Sequence, residues 1–240
     1  MEKIDIAALL KKFKEYDISC EKSLYSLLNE DTISVVGSGS NSSTELGLKN
    51  IVFVNTSFVR MQEYKNYEMP ALFIADGYFD IESILNLSDN QELSQLRKDK
   101  IDALCGISVS NIFTISSLSS ANVRDSLMNL DIQYKNFIAI SPRQFYFFLF
   151  KRFFSSFSLM QLGSYVKTII HGKKPRPKFR PSNGVCAGIV FKYMFPGNRK
   201  IKLDGILSTH SYYGSNKKEY TLNNVHEYTD QILVKKLDSN

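Results

Sequence analysis

The stretch Arg199-Lys200-Ile201-Lys202-Leu203-Asp204-Gly205-Ile206-Leu207 constrains the fold more than any other part of this chain. Its alternation sets Ile201 and Leu203 on one side and Lys200 and Lys202 on the other, which predicts a half-buried strand that turns at Asp204-Gly205. Two cations side by side on a rigid strand suit a phosphate. A solvated strand face accounts for the same pattern, because lysines are point charges with little geometric specificity.

With 43% hydrophobic and 22% charged residues, 240 residues can bury a sizeable core as one large or two small domains. A net charge of +6 permits an acidic partner, a membrane surface or nucleic acid without choosing among them. Cys20, Cys105 and Cys186 are isolated and odd in number, so neither a disulfide framework nor a Cys-x-x-Cys zinc knuckle is available, and a reducing compartment is expected. Met1-Glu2-Lys3-Ile4-Asp5 leads into a charged amphipathic segment unlike a signal peptide. The apolar run from Phe145 to Phe150 stops at Lys151-Arg152, far short of the roughly 20 residues a spanning helix needs.

Along the chain, Ile6, Leu9, Leu10, Phe13 and Tyr16, then Leu24, Leu27 and Leu28, recur at helical spacing and predict two short helices meeting near Asp17-Ile18-Ser19. Ile33 to Val36 and Ile51 to Val54 read as strands around a polar loop, Gly37 to Ser43, that lacks the spacing of a phosphate cradle. Gln91 to Lys100 predicts a helix, Ile101 to Leu104 and Asn111 to Ile115 strands, Ser120 to Leu130 a helix with Val123, Leu127 and Leu130 inward, and Phe137 to Ile140 a strand. Ser141-Pro142 opens an aromatic helix reaching Phe154, since serine caps and proline tolerates the first turn. Its rings read as core; the alternative is a docking face for a partner, with Phe145, Phe148 and Arg152 as candidates.

After an apolar helix from Ser158 to Ile170, the segment Lys173 to Pro181 combines three prolines with five cations and reads as a solvated connector. Val185 to Tyr193 is expected to be a strand, paired through a hairpin at Pro196-Gly197-Asn198-Arg199 with the Lys200 strand. The expectation is an α+β chain: a helical and mixed region over 1–88, a small αβ domain over 89–157, a helix and basic linker over 158–181, and the start of a small sheet-based, PAS-like domain over 182–240.

The element order from Leu93 to Phe154 resembles the N-terminal domain of the secretion ATPases that drive type II secretion and type IV pilus assembly. The Leu159 to Ile170 helix, the Ile189 to Tyr193 strand, the Lys200 to Leu207 strand with its Asp-Gly, and the Asp230 to Asp238 segment resemble the start of that family's second N-terminal domain. The resemblance implies a non-hydrolytic part, or stand-alone relative, of a hexameric motor. It also implies a cytoplasmic place peripheral to the bacterial inner membrane, docked to platform proteins. Lys200, Lys202, Asp204 and Gly205 would then lie near nucleotide phosphate, while ATP with magnesium enters only with a motor domain, and this chain holds no catalytic residue and no metal ligand. Two departures stand out. Ser182-Asn183-Gly184-Val185-Cys186 replaces the family's Ser-Asp-Ile-His, and lysines replace its arginines, which loses the bidentate fork.

A second reading, a diverged nuclease-like or other nucleic-acid-binding protein, starts from Asp102 on an expected strand followed by the Phe113 strand. It lacks a second carboxylate and a lysine, because Thr114, Ser116 and Ser117 stand there instead. Nucleic acid also lacks a recognition helix or zinc ligands to hold it. His171, His210 and His226 are scattered and read as structural or exposed, with His210 in reach of a phosphate at the Asp-Gly turn.

Overall fold

The computed structural model describes residue 13 and residues 15–38, 50–60, 68–79, 91–206, 210–213, 218–221 and 226–238. Seven strands form one sheet: β1 (Glu15–Ile18), β2 (Thr32–Val36), β3 (Ile51–Val54), β4 (Met69–Ala75), β5 (Ser108–Ile115), β6 (Gln133–Ile140) and β7 (Lys200–Asp204), in the order β1-β6-β5-β4-β3-β2-β7. All neighbours run parallel except β1, which is antiparallel to β6 at the edge. A further hairpin joins β8 (His210–Tyr213) and β9 (Lys218–Thr221). The helices are α1 (Glu21–Leu28), α2 (Gln91–Leu104), α3 (Ser120–Asn129), α4 (Pro142–Phe153), α5 (Leu159–His171), α6 (Asn183–Ile189, continued as a π-turn over Val190–Met194) and α7 (Glu227–Asp238). The α+β class read from the sequence therefore holds, as a mixed sheet with helices.

A parallel strand is covered on both faces, which is why Ile51–Val54 and the ends of β5 and β6 are apolar without alternation. The strand period still sorts the residues. Val35, Val54, Phe73, Phe113 and Ile138 meet α1, α4, α5, α6 and α7 in one core, while Val36, Phe53, Leu72, Ile112 and Phe137 meet α2 and α3 in the other. From β2 to β6 the chain steps one strand at a time in one direction, then returns to place β7 on the far side of β2. Right-handed crossovers explain the layers: the forward steps put α2 and α3 on one face, and the return carries α4, α5 and α6 across the other.

That return overturns several expectations. Val185 to Tyr193 is helix, not strand, and β7 pairs in parallel with β2, Ile201 opposite Ile33, instead of closing a hairpin. The expected PAS-like domain after residue 181 is thus not a separate sheet: its strand completes the sheet begun by residues 32–36. Ile101 to Leu104 continues α2, so Asp102 is an exposed helical residue, not a strand carboxylate. Asp17 and Ile18 belong to β1 where a helix junction was expected, and the helix expected before them lies mostly outside the described residues. The cap expected at Ser141 came through, as a reciprocal capping box with Gln144 at α4, and the structure adds another between Ser158 and Gln161 at α5.

Two buried polar clusters lock the frame. Asn136 donates through Nδ2 to Cys20 O, Ser23 Oγ and Asn111 Oδ1, all at 2.8 Å, and its Oδ1 accepts from Cys20 N at 2.9 Å, tying the β1–α1 turn to β5 and β6. Arg199, only 4% exposed, donates through Nε to Leu28 O at 2.8 Å, through Nη1 to Phe191 O at 3.3 Å and through Nη2 to Pro196 O at 2.5 Å. It satisfies carbonyls at the ends of α1 and α6, where a cation also meets the negative ends of both helix dipoles. Replacing Arg199 by Met keeps the volume but strands these carbonyls. Urea unfolding of Arg199→Met is expected to show a loss of about 2–4 kcal/mol; a loss below about 0.5 kcal/mol would contradict this role.

Candidate functional site

Sheets wound in two directions leave a crevice outside the carboxyl ends of their strands, near the point where the winding reverses. Here that point is β2, flanked by β3 on one side and β7 on the other. The two strand ends are in close contact. Gly37 N donates to Asp204 O at 2.7 Å, and a Cβ at Gly37 would sit 2.5 Å from Gly205 O, so only glycine fits. Gly205 turns away with φ +60°, a left-handed conformation that glycine adopts without strain.

A cavity of about 250 Å³ opens along the same edge, over β4 and β5. Ala75, Asp76 and Gly77 supply its floor from the end of β4, and Ile115 from the end of β5. Lys174, Arg180, Asn183, Cys186 and His226 enclose it from the return crossover and from the start of α7.

The roof is the proline-rich segment itself. Lys174 Nζ binds Asp76 Oδ1 at 2.7 Å, Pro175 and Pro181 are buried, and Thr229 Oγ1 donates to Lys178 O at 3.1 Å. Gln161 Nε2 on α5 donates to Thr229 Oγ1 at 3.1 Å, and Asp230 Oδ1 accepts from Ser182 N at 2.8 Å. The prolines and cations read as a solvated connector are thus a strap, fastened at one end to β4 and along its length to α7. Beyond one 3-10 turn over Pro177–Phe179, its prolines leave it short of backbone donors, and Thr229 of α7 supplies a side-chain donor to the Lys178 carbonyl.

His226 is the most constrained of these side chains. Its Nδ1 lies 2.9 Å from Pro177 O and 3.0 Å from Arg180 O. Carbonyls only accept, so Nδ1 carries the hydrogen and, in the neutral ring, Nε2 holds the lone pair. Burial lowers the His226 pKa below its ordinary value, and the Arg180 charge pushes the same way against the two carbonyl contacts. The ring is therefore neutral at pH 7, a base held in a fixed tautomer. Arg180 has no carboxylate partner among the described residues. The Cys186 thiol, fully enclosed, is pushed far up by burial and is no nucleophile near neutral pH. Burial likewise raises the Tyr146 hydroxyl.

The residues singled out in the sequence lie apart from this site. Lys200 and Lys202 are exposed along β7, opposite the face that buries Ile201, and only Asp204 and Gly205 reach the carboxyl edge. Phe145 is fully buried and Phe148 half-buried against the same core, so Phe145 is no docking residue. Arg152 is exposed, 5.2 Å over the Tyr193 ring, and with Lys192 and Lys236 lines an open cleft of about 530 Å³ at the opposite end of α4. That cleft is larger, but its lining offers cations and a phenol, with no histidine or carboxylate among the described residues. The His210 side chain lies outside the described residues. Sequence reading counted Arg180 among the cations of a solvated connector and took His226 as structural or exposed; the signal it left unused was an Arg-Pro-Ser helix start and a histidine at the start of the last helix.

Among the described residues, no three His, Cys, Asp or Glu side chains converge as metal ligands would. Asp230 is 1% exposed, and burial raises its pKa to about 6 against the bond from Ser182. The folded state then binds the proton more tightly than the unfolded chain, so this group costs stability as pH rises from about 4 to about 6. Asn keeps the acceptor for Ser182 N without the charge. The stability of Asp230→Asn minus that of the parent, measured by urea unfolding, is expected to grow over that window by up to about 3 kcal/mol; a difference independent of pH would contradict the assignment. No family model, curated protein or solved structure matches this chain.

Proposed function

We propose that the crevice binds a nucleotide-activated donor and transfers its activated group to an acceptor hydroxyl. What supports this is one pairing: a neutral His226 fixed as the Nδ1–H tautomer and an Arg180 that has no carboxylate partner among the described residues line the same cavity of about 250 Å³ at the carboxyl ends of parallel strands. A direct displacement needs two things, a base for the incoming hydroxyl and positive charge for the departing phosphate. His226 Nε2 takes the hydroxyl proton, the acceptor oxygen attacks the reacting centre, and the bond to the phosphate oxygen breaks with its electron pair. Arg180 holds the released charge in a bidentate fork, seconded by Lys174. Among the described residues of the cavity, neither Cys186, kept protonated by burial, nor Asp76, held by Lys174, is placed for covalent catalysis. The motor-docking role implied by the resemblance has Arg152 as its exposed candidate residue.

Nucleoside mono- and diphosphates, titrated calorimetrically, are expected to bind the parent and to bind Arg180→Ala at least about tenfold more weakly, or about 1.4 kcal/mol. His226→Asn should keep nucleotide affinity within about twofold yet lower turnover about 100-fold. Parent turnover should rise with pH through a value below 6.5 as the ring deprotonates. Absence of nucleotide binding, or equal affinity in Arg180→Ala, would overturn the reading.

A further inference from the structure

We infer that the outer face of the α4–α5 hairpin docks on an anionic lipid surface. The two helices run antiparallel, since Arg143 near the start of α4 donates through Nη2 to Ile170 O near the end of α5 at 2.9 Å. Their inner rows, Phe145, Tyr146 and Leu149 on α4 with Leu162 and Tyr165 on α5, are buried on the sheet. Their outer rows are apolar as well: Phe147 is 54% exposed, Phe154 53%, Leu159 86%, Met160 67% and Ile170 59%. So many large apolar side chains on one short hairpin exceed the scattered exposure normal on a protein surface. Solvation alone does not explain them.

Charge identifies the occupant. Between Asp131 and Asp204 the chain has no acidic residue and fourteen lysines and arginines, whereas the rest of the chain carries more acids than bases. On and beside the hairpin, Arg143, Lys151, Arg152, Lys167 and Lys173 are all exposed. An apolar face bordered by cations and free of anions matches the boundary between anionic headgroups and acyl chains. There the phenylalanines enter the hydrocarbon edge and the lysines reach back to phosphate. A second copy of the chain would set this basic field against itself, a repulsion that a self-associating face avoids. Among the described residues no helix is long and apolar enough to cross a membrane, so the contact is a surface one.

The test is co-sedimentation of the full chain with vesicles of phosphatidylcholine alone or with 30 mol% phosphatidylglycerol. Binding is expected only to the anionic vesicles, reduced at least tenfold by 0.5 M salt. Lys151→Glu/Lys167→Glu/Lys173→Glu, whose fold is checked by circular dichroism, should lose at least tenfold. Phe147→Ser/Phe154→Ser should lose binding comparably while keeping the melting transition. No uptake by anionic vesicles, or equal uptake by both kinds, overturns the inference. So does concentration-dependent dimerisation in sedimentation velocity that Phe147→Ser/Phe154→Ser abolishes, since the face would then belong to a second copy.

Discussion

The parallel pairing of β7 with β2 is the contact on which the rest of the molecule depends. It joins residues about 170 positions apart in sequence, and forming it requires the whole return crossover to fold back over the sheet. The crossover delivers α4, α5 and α6 to one face, and the chain leaving β7 delivers α7 beside them. Arg199, immediately before β7, ties this closure to α1 through the Leu28 carbonyl, so the N-terminal helix and the last sheet strand share one buried cation. Without the pairing there is no floor under α7, no strap and no His226 over the crevice.

The candidate site follows from a shortage of donors. A segment with three prolines has few backbone donors beyond the turn that bonds Phe179 N to Arg176 O and Arg180 N to Pro177 O, and it crosses the sheet edge, where an unpaired carbonyl is costly if buried. Lys174 reaches to Asp76, while Thr229 and His226 donate to the carbonyls of Lys178, Pro177 and Arg180. The same bonds that hold the strap fix the imidazole tautomer, so structural need and chemical readiness coincide in one side chain. Burial keeps the ring neutral, and Arg180 adds to that effect while supplying the charge for an anion. The strap begins at the end of α5.

Local signals in the sequence were legible where a single face is buried. α3, α4 and α5 stand within a few residues of where periodicity and caps put them, because one stripe of each reads differently from the other, while β2 and β3, buried on both faces, were legible as short apolar runs beside a polar loop. Val185 to Tyr193 misled for the opposite reason. Gly184 through Phe191 is buried all round, so the helix has no polar stripe and its apolar run looks like a strand. Ile101 to Leu104 is the short apolar end of α2 and gave the same false signal. Prolines and cations in Lys173 to Pro181 pointed to a solvated linker since composition says nothing of where backbone carbonyls find donors. His226 and Arg180, 46 residues apart, share a cavity only because the return crossover and α7 meet at one sheet edge. Lys200 and Lys202, by contrast, carried the most visible pattern and are exposed along β7, away from this cavity.

The tautomer and charge state of His226 report most directly on this account, since they depend on the strap, on α7 and on the β2–β7 closure together. Long-range nitrogen–proton NMR correlation of the histidine rings, followed as a function of pH and assigned through His226→Asn, measures both. The account predicts a ring with hydrogen on Nδ1 that takes up its second proton below pH 6.5. A ring carrying its hydrogen on Nε2, or one protonating above pH 6.5 as an imidazole beside a carboxylate does, would contradict it.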